Sequence, residues 1–342
     1  MVADHRRGNS YQEISFLDGA PRGYVWEVGR RFFVLGIVCM LVGAWNGPAN
    51  ATVVIAAPER RTSIRPTAAA PVYNLALGDS TAMWNGNRSY PDLITSHYAS
   101  TVPHLTLVDM ACSGETTSSM IARSLCAPGG SQYQNALSFL RAHTGTVALT
   151  TIDIGGNDVV NCIYLANPTT CFVNGLKTMQ KNLATILAGL RSASHAHVPI
   201  VGMNYYDPLL GDWLAGPGPT RMLVTNVMAG VVTLNRDMAR VYAKYKVPVA
   251  DVAAAFQSSD MTHFVSSPWG RIPVAVDRAC TLLDITCHKG AAEDFGDDPN
   301  NEGAIVIAAA FEHTIGALHR PAGITSNLNH ASTVMPVTGS AR

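Results

Sequence analysis

The sequence predicts an α/β protein built from stacked βαβ units. Two observations carry this. From Val72 onward, short apolar runs alternate with stretches of helical periodicity, the pattern of strands joined by crossover helices. The first run, Val72–Leu77, is closed by the turn Gly78-Asp79-Ser80, as expected for a buried parallel strand. With 342 residues the chain is long enough for one large core, placed at 72–320.

Taken in order, the chain opens with a leader at 1–51. Arg30-Arg31 precede the apolar run Phe32–Trp45, and Ala49-Asn50-Ala51 offers small residues for cleavage after Ala51, the make-up of a secretory signal peptide. The run of 14 residues would span only about 21 Å as a helix, against a hydrocarbon core of about 30 Å. The alternative is an N-terminal membrane anchor continued through Val53–Ala57, which Asn46, Gly47, Pro48 and Asn50 interrupt. Secretion is therefore expected, with no stable membrane span after cleavage. Residues 52–71, rich in Pro, Arg, Thr and Ala, form a linker.

Strands are expected at Tyr73–Gly78, Leu105–Ala111, Thr146–Ile154, Pro199–Asn204 and Val247–Val252. Helices are expected at Tyr90–Tyr98, Gln132–His143, Gly175–Ser194, Arg221–Tyr245 and Glu302–Leu318, the last from Ile305, Ile307, Ala308 and Phe311 at helical spacing. Residues 321–342 lack periodicity and read as a disordered tail. Met335-Pro336-Val337-Thr338-Gly339 resembles a cell-wall sorting pentapeptide, but only Ser340-Ala341-Arg342 follow it.

Charge and cysteines set the class. Lys plus Arg and Asp plus Glu number 24 each, with no basic stripe beyond the N-terminus, which argues against nucleic-acid binding. Signal cleavage removes Cys39 and leaves Cys112, Cys126, Cys162, Cys171, Cys280 and Cys287. An even set in an exported chain implies disulfides. Of the fifteen possible pairings, sequential neighbours are the simplest: 112–126, 162–171 and 280–287. Zinc is the competing reading, and these spacings lack Cys-x-x-Cys.

Chemistry in open α/β sheets collects beyond the carboxyl ends of strands. Ser80 follows the first strand, Gly114 the second, and Asn157 the third in Gly155-Gly156-Asn157-Asp158. A flavodoxin-like order, 2-1-3-4-5, would set those three ends side by side. Ser80 would then attack a carbonyl, while the backbone N–H groups of Ser80 and Gly114 and the Asn157 amide hold the oxyanion. Taken singly, the same residues are an N-cap, a turn glycine and an Asx turn.

These blocks resemble the SGNH (GDSL-type) hydrolases, and most nearly their secreted actinobacterial esterases and lipases. Ser89-Tyr90-Pro91, Ala111–Thr117, Met203–Pro208 and Ala250–Phe256 are similar to that branch too. The resemblance implies a three-layer α/β/α fold, ester hydrolysis on a small-molecule or lipid ester, no cofactor, and the same roles for Ser80, Gly114 and Asn157. The family carries a catalytic His before the last helix, within Asp-x-x-His-Pro or Asp-x-His-Pro. Here Asp298 stands before Pro299, with Gly296 and Phe295 where the orienting Asp belongs.

A serine hydroxyl needs a base near neutral pH, and an ordinary Asp, with a pKa of about 3.9, accepts a proton poorly. Two substitutes are weighed: His288, beside Cys287 in the same C-terminal region, and more remotely His263. The other histidines read as surface or packing residues. Glu293, Asp294, Asp297, Asp298 and Glu302 fit either a Ca²⁺ site or a solvated acidic loop at a helix N-terminus. Tyr205, Tyr206, Pro208, Leu209, Leu210 and Trp213 line an acyl pocket or form a packed loop. Two functions follow: an exported serine ester hydrolase, weakened by Asp298, or a non-catalytic ligand-binding protein on the same fold.

Overall fold

A computed structural model describes residues 70–321, except 84–87, 127–129, 196, 289–290 and 294–297, and only the backbone of 291–293. The expected leader and signal peptide lie outside these residues, as do all of the linker but 70–71 and all of the tail but 321.

Apolar strand segments fold as a parallel sheet. β1 (Val72–Gly78), β2 (Leu105–Asp109), β3 (Val147–Asp153), β4 (Ile200–Met203) and β5 (Val249–Ala250) stand in the order β2-β1-β3-β4-β5. Every neighbouring pair is parallel. β3 is buried along its whole length and β1 nearly so, because helices cover both faces of an all-parallel sheet.

The helices fall into two groups. α1 (Tyr90–Tyr98) packs against α8 (Asn301–Ile315), with the Tyr90 and Phe311 rings stacked at 4.9 Å. α2 (Thr117–Ala122), α3 (Gln132–Ala142), α4 (Pro168–Ala193) and α5 (Pro219–Lys244) pack in series as the other layer. The result is a three-layer α/β/α arrangement. α4 shows why: Leu176, Met179, Leu183, Ile186, Leu187 and Leu190 repeat at helical spacing and are all buried. Ser89 and Asp92 close a capping box at the start of α1, satisfying first-turn N–H groups.

Several elements differ from the expectation. β5 pairs over only two residues rather than Val247–Val252, because Asp251 caps a short helix, α6 (Val252–Ala255), and turns the chain out of the sheet. α4 begins at Pro168, seven residues before the expected Gly175. An antiparallel hairpin, β6 (Phe264–Ser267) with β7 (Gly270–Pro273), leads into α7 (Val274–Leu282). A second hairpin joins β8 (Thr286–His288) and β9 (Ala291–Glu293). Cys112–Cys126, Cys162–Cys171 and Cys280–Cys287 are disulfide-bonded, the sequential pairing.

Candidate active site

Ser80 opens a 3-10 turn, Ser80–Ala82, directly after β1. The turn is fixed from beneath. Asp79 accepts from the Thr81 N–H at 3.0 Å, and its own N–H donates to the Asp153 carbonyl at 3.1 Å. Gly78 is clasped by the Gln132 amide, which accepts from Gly78 N at 2.8 Å and donates to Gly78 O at 3.0 Å. With φ +153° and an added Cβ only 2.1 Å from Asp153 Oδ1, no side chain fits at residue 78.

Two buried carboxylates lie under this turn. Tyr205 Oη donates to Asp79 Oδ2, and Tyr90 Oη donates to Asp153 Oδ1, each at 2.6 Å. Burial pushes the Asp79 pKa up against the pull of those hydrogen bonds. Asp153 is pushed well up, by burial first and then by the Asp79 charge. Adjacent buried acids disfavour two full negative charges.

The other two strand-end loops are tied to each other. Asn157 Nδ2 donates to the Glu115 carbonyl at 3.1 Å, the residue after Gly114. Asp158 accepts from Thr117 N at 2.8 Å and from Thr117 Oγ1 at 2.6 Å; burial raises its pKa while these bonds oppose the rise. The buried Glu115 carboxylate accepts from Ser119, Ser124 and Gln132. Gln132 thereby links the Gly114 loop to the Ser80 turn.

Ser80, Asn157 and Asp298 line one cavity of about 610 Å³. Its walls are mainly apolar and include Val159, Ile163, Phe172, Val227 and Leu234. Of the loop after β4, Tyr205, Tyr206 and Pro208 line the cavity, whereas Leu209 and Leu210 are packed inside and Trp213 is stacked under Arg221 at 3.4 Å. Gly114 is not among the lining residues; the Asn157 bond to the next residue, Glu115, ties its loop to the Asn157 loop.

Neither candidate histidine joins them. His288 is exposed on β8 and is not part of the lining. His263 pairs its Nδ1 with Asp260 Oδ1 at 2.9 Å and Oδ2 at 3.0 Å, but its side chain is 80 % exposed and lies off the lining. The His263 backbone N–H, and then its ring, hold Asp260 below the usual carboxylate range.

Asp153 is the site residue that sequence reasoning overlooked, and it carried a signal: an acid at the end of the apolar run Val147–Ile152 must find buried partners. Among the described residues no group of three or more His, Cys, Asp or Glu side chains is arranged to hold a metal. Of the acidic loop, only Asp298 and Glu302 have described side chains.

A family model, "GDSL-like Lipase/Acylhydrolase family", matches residues 76–268. Among solved structures, phospholipase A1 from Streptomyces albidoflavus NA297 is 19 % identical, with 60 % of this chain and 92 % of that one covered and a TM-score of 0.41. An extracellular lipase from Streptomyces rimosus is 17 % identical, covering 70 % and 100 %, at TM-score 0.45. The acetylxylan esterase Axe2 from Geobacillus stearothermophilus is 15 % identical, covering 73 % and 96 %, at 0.45. No curated protein matches the chain.

Proposed function

The chain belongs to the GDSL-like lipase/acylhydrolase family, and on that premise we propose that it is an exported serine ester hydrolase working through an acyl-enzyme. The observation that carries the reading is that Ser80, Asn157 and Asp298, far apart in sequence, line one cavity.

Ser80 Oγ attacks the ester carbonyl carbon, and the carbonyl π electrons move onto its oxygen. That oxyanion is held by the backbone N–H groups of Ser80 and Gly114 and by Asn157 Nδ2, whose amide carries two donors and gives only one to Glu115. Asp298 takes the Ser80 proton and hands it to the departing alcohol as the C–O ester bond breaks. Water, giving a proton to the same group, then attacks the acyl-serine, and its breakdown releases the carboxylic acid and returns the proton to the Ser80 oxygen. Asp298, which lines the cavity, stands at the sequence position where the family's histidine is expected. A carboxylate takes a serine proton poorly, so turnover is slow. The apolar walls receive the acyl chain. Three disulfides support an oxidising compartment, in keeping with a cleaved signal peptide.

The replacement of imidazole by Asp298 favours a second reading, a ligand-binding protein on the same fold that has lost its base. Turnover of a p-nitrophenyl ester separates the two. Hydrolysis that disappears in Ser80→Ala, together with fluorophosphonate labelling of Ser80, supports the enzyme. Wild-type turnover no higher than that of Ser80→Ala, with activity appearing in Asp298→His, supports the binding protein. In an enzyme, Asp298→His is expected to raise kcat by about 10²–10⁴-fold, the usual contribution of a matched general base.

A further inference from the structure

The cavity lies between two helical segments of unusual composition. Neither 159–176 nor 222–235 contains a single Asp, Glu, Lys or Arg. Nine large apolar side chains are exposed among the described residues, and six of them fall on these two segments: Tyr164, Leu165, Val173, Met222, Leu223 and Val232. Their exposure runs from 40 % for Leu223 to 64 % for Met222. Concentrations of this kind mark interaction surfaces.

The same segments build the cavity. Leu223 both lines it and stands exposed, and Pro168, Thr169, Asn226 and Ala229 do the same. On this side the apolar interior therefore continues onto the outer surface with no charged residue of the two segments between; the carboxylate of Asp298 lines the cavity from outside them. Four charged residues flank the segments: Asp158, which turns inward to Thr117, and the cations Lys177, Arg221 and Arg236, of which Arg221 stacks on Trp213 at 3.4 Å and Arg236 lies 3.6 Å from Asp237.

From this we infer that the face carrying Leu165, Val173, Met222 and Val232 docks on a phospholipid surface, so that a long-chain acyl ester enters the Ser80 cavity directly from the lipid layer. The occupant follows from the chemistry. An uncharged apolar face suits the acyl boundary, and a cationic border suits phosphate headgroups. Continuity with the cavity lets an acyl chain pass from lipid to protein without exposure to water. No helix of the described residues is long and apolar enough to cross a membrane; the contact inferred for this face is a peripheral one. The choice of acyl substrate rests on the ester-hydrolase reading, whereas the docking itself does not.

The test uses full-length Ser80→Ala protein, so that hydrolysis plays no part, and vesicles of phosphatidylcholine with phosphatidylglycerol. Co-sedimentation should show binding, stronger than to phosphatidylcholine alone. Met222→Asp with Val232→Asp should weaken it about tenfold or more with an unchanged melting temperature, and the milder pair Met222→Ser with Val232→Ser should weaken it by less. Wild-type Ser80 protein should then prefer emulsified long-chain esters over p-nitrophenyl acetate, a preference the paired variants lose. Absence of vesicle binding, or binding indifferent to both pairs, overturns the docking even if p-nitrophenyl acetate is cleaved. So does a dimer, seen by sedimentation velocity, that the Asp pair dissociates. Binding without any ester cleavage leaves the docking standing and removes the hydrolase.

Discussion

Asp207 follows β4 and is buried, with Oδ1 accepting from the Leu209 N–H at 2.9 Å and Oδ2 lacking a hydrogen-bond partner among the described residues. Burial pushes its pKa up to about 7, against the Leu209 bond. Folded protein therefore binds more protons here than unfolded chain between its unfolded pKa and about 7. The contribution of this group to stability falls as pH rises through that window and levels off above it. Asp207→Asn keeps the Leu209 bond and removes the ionisation, so its melting temperature should decline less between pH 4 and 7, by the equivalent of up to roughly 4 kcal/mol. Thermal unfolding of both proteins across that range checks this. Tyr205→Phe strips Asp79 of its 2.6 Å donor and should cost about 1–3 kcal/mol, lowering kcat through the Ser80 turn that Asp79 caps. Ser80 and Asn157 could be read from the sequence because each ends an apolar run. The Asp79–Asp153 pairing could not, since nothing local brings acids 74 positions apart into contact.

Among the elements, α5 shows how a helix serves both core and site. Val224, Met238 and Tyr242 are buried in the core, while Val227, Val231 and Leu234 line the cavity. The periodicity announced the helix but not the gap in its cover. Likewise the first turns of α4, 168–174, carry no apolar repeat, because only Phe172 packs against the core while Pro168, Thr169, Val173 and Asn174 are exposed. α8 carries Asp298 into place at its N-terminal approach. Asn300 caps it, accepting from Glu302 N and Gly303 N. Gly303 sits so near α7 that a Cβ would be 2.1 Å from the Leu282 carbonyl and 2.9 Å from Pro299 Cβ. Gly303→Ala should destabilise by about 1–3 kcal/mol, the usual cost of overpacking, and should displace Asp298. Denaturant unfolding measures the first effect and ester turnover the second.

At the scale of the molecule, two of the three disulfides tie loops of the site, and the third braces a separate apolar cluster with Leu214, Ile272 and Val276. Cys112–Cys126 closes the loop that carries Gly114, Cys162–Cys171 ties the start of α4 at the cavity, and Cys280–Cys287 joins α7 to β8. By loop-closure entropy they should contribute roughly 2–3 kcal/mol each, most for Cys112–Cys126, which closes the longest loop. Full reduction should therefore lower the melting temperature substantially, and ester turnover should fall before the sheet unfolds, because all three loops lie outside it. Calorimetry with and without reductant, run beside an activity assay, checks the order of loss.

What the sequence determined by itself was the run of strands and helices and the chemistry-bearing residues at the strand ends; the strand order and the sequential disulfide pairing were its simplest options, which the structure selected. Strand and helix signals are local, and cysteines a few residues apart find each other cheaply. What only the tertiary structure decided was company. It brought Asp298 into the Ser80 cavity, left His288 and His263 outside its walls, and stacked two acids beneath the serine turn. Each of these depends on how distant segments pack, and packing of that kind is a property of the whole fold that no stretch of residues encodes alone.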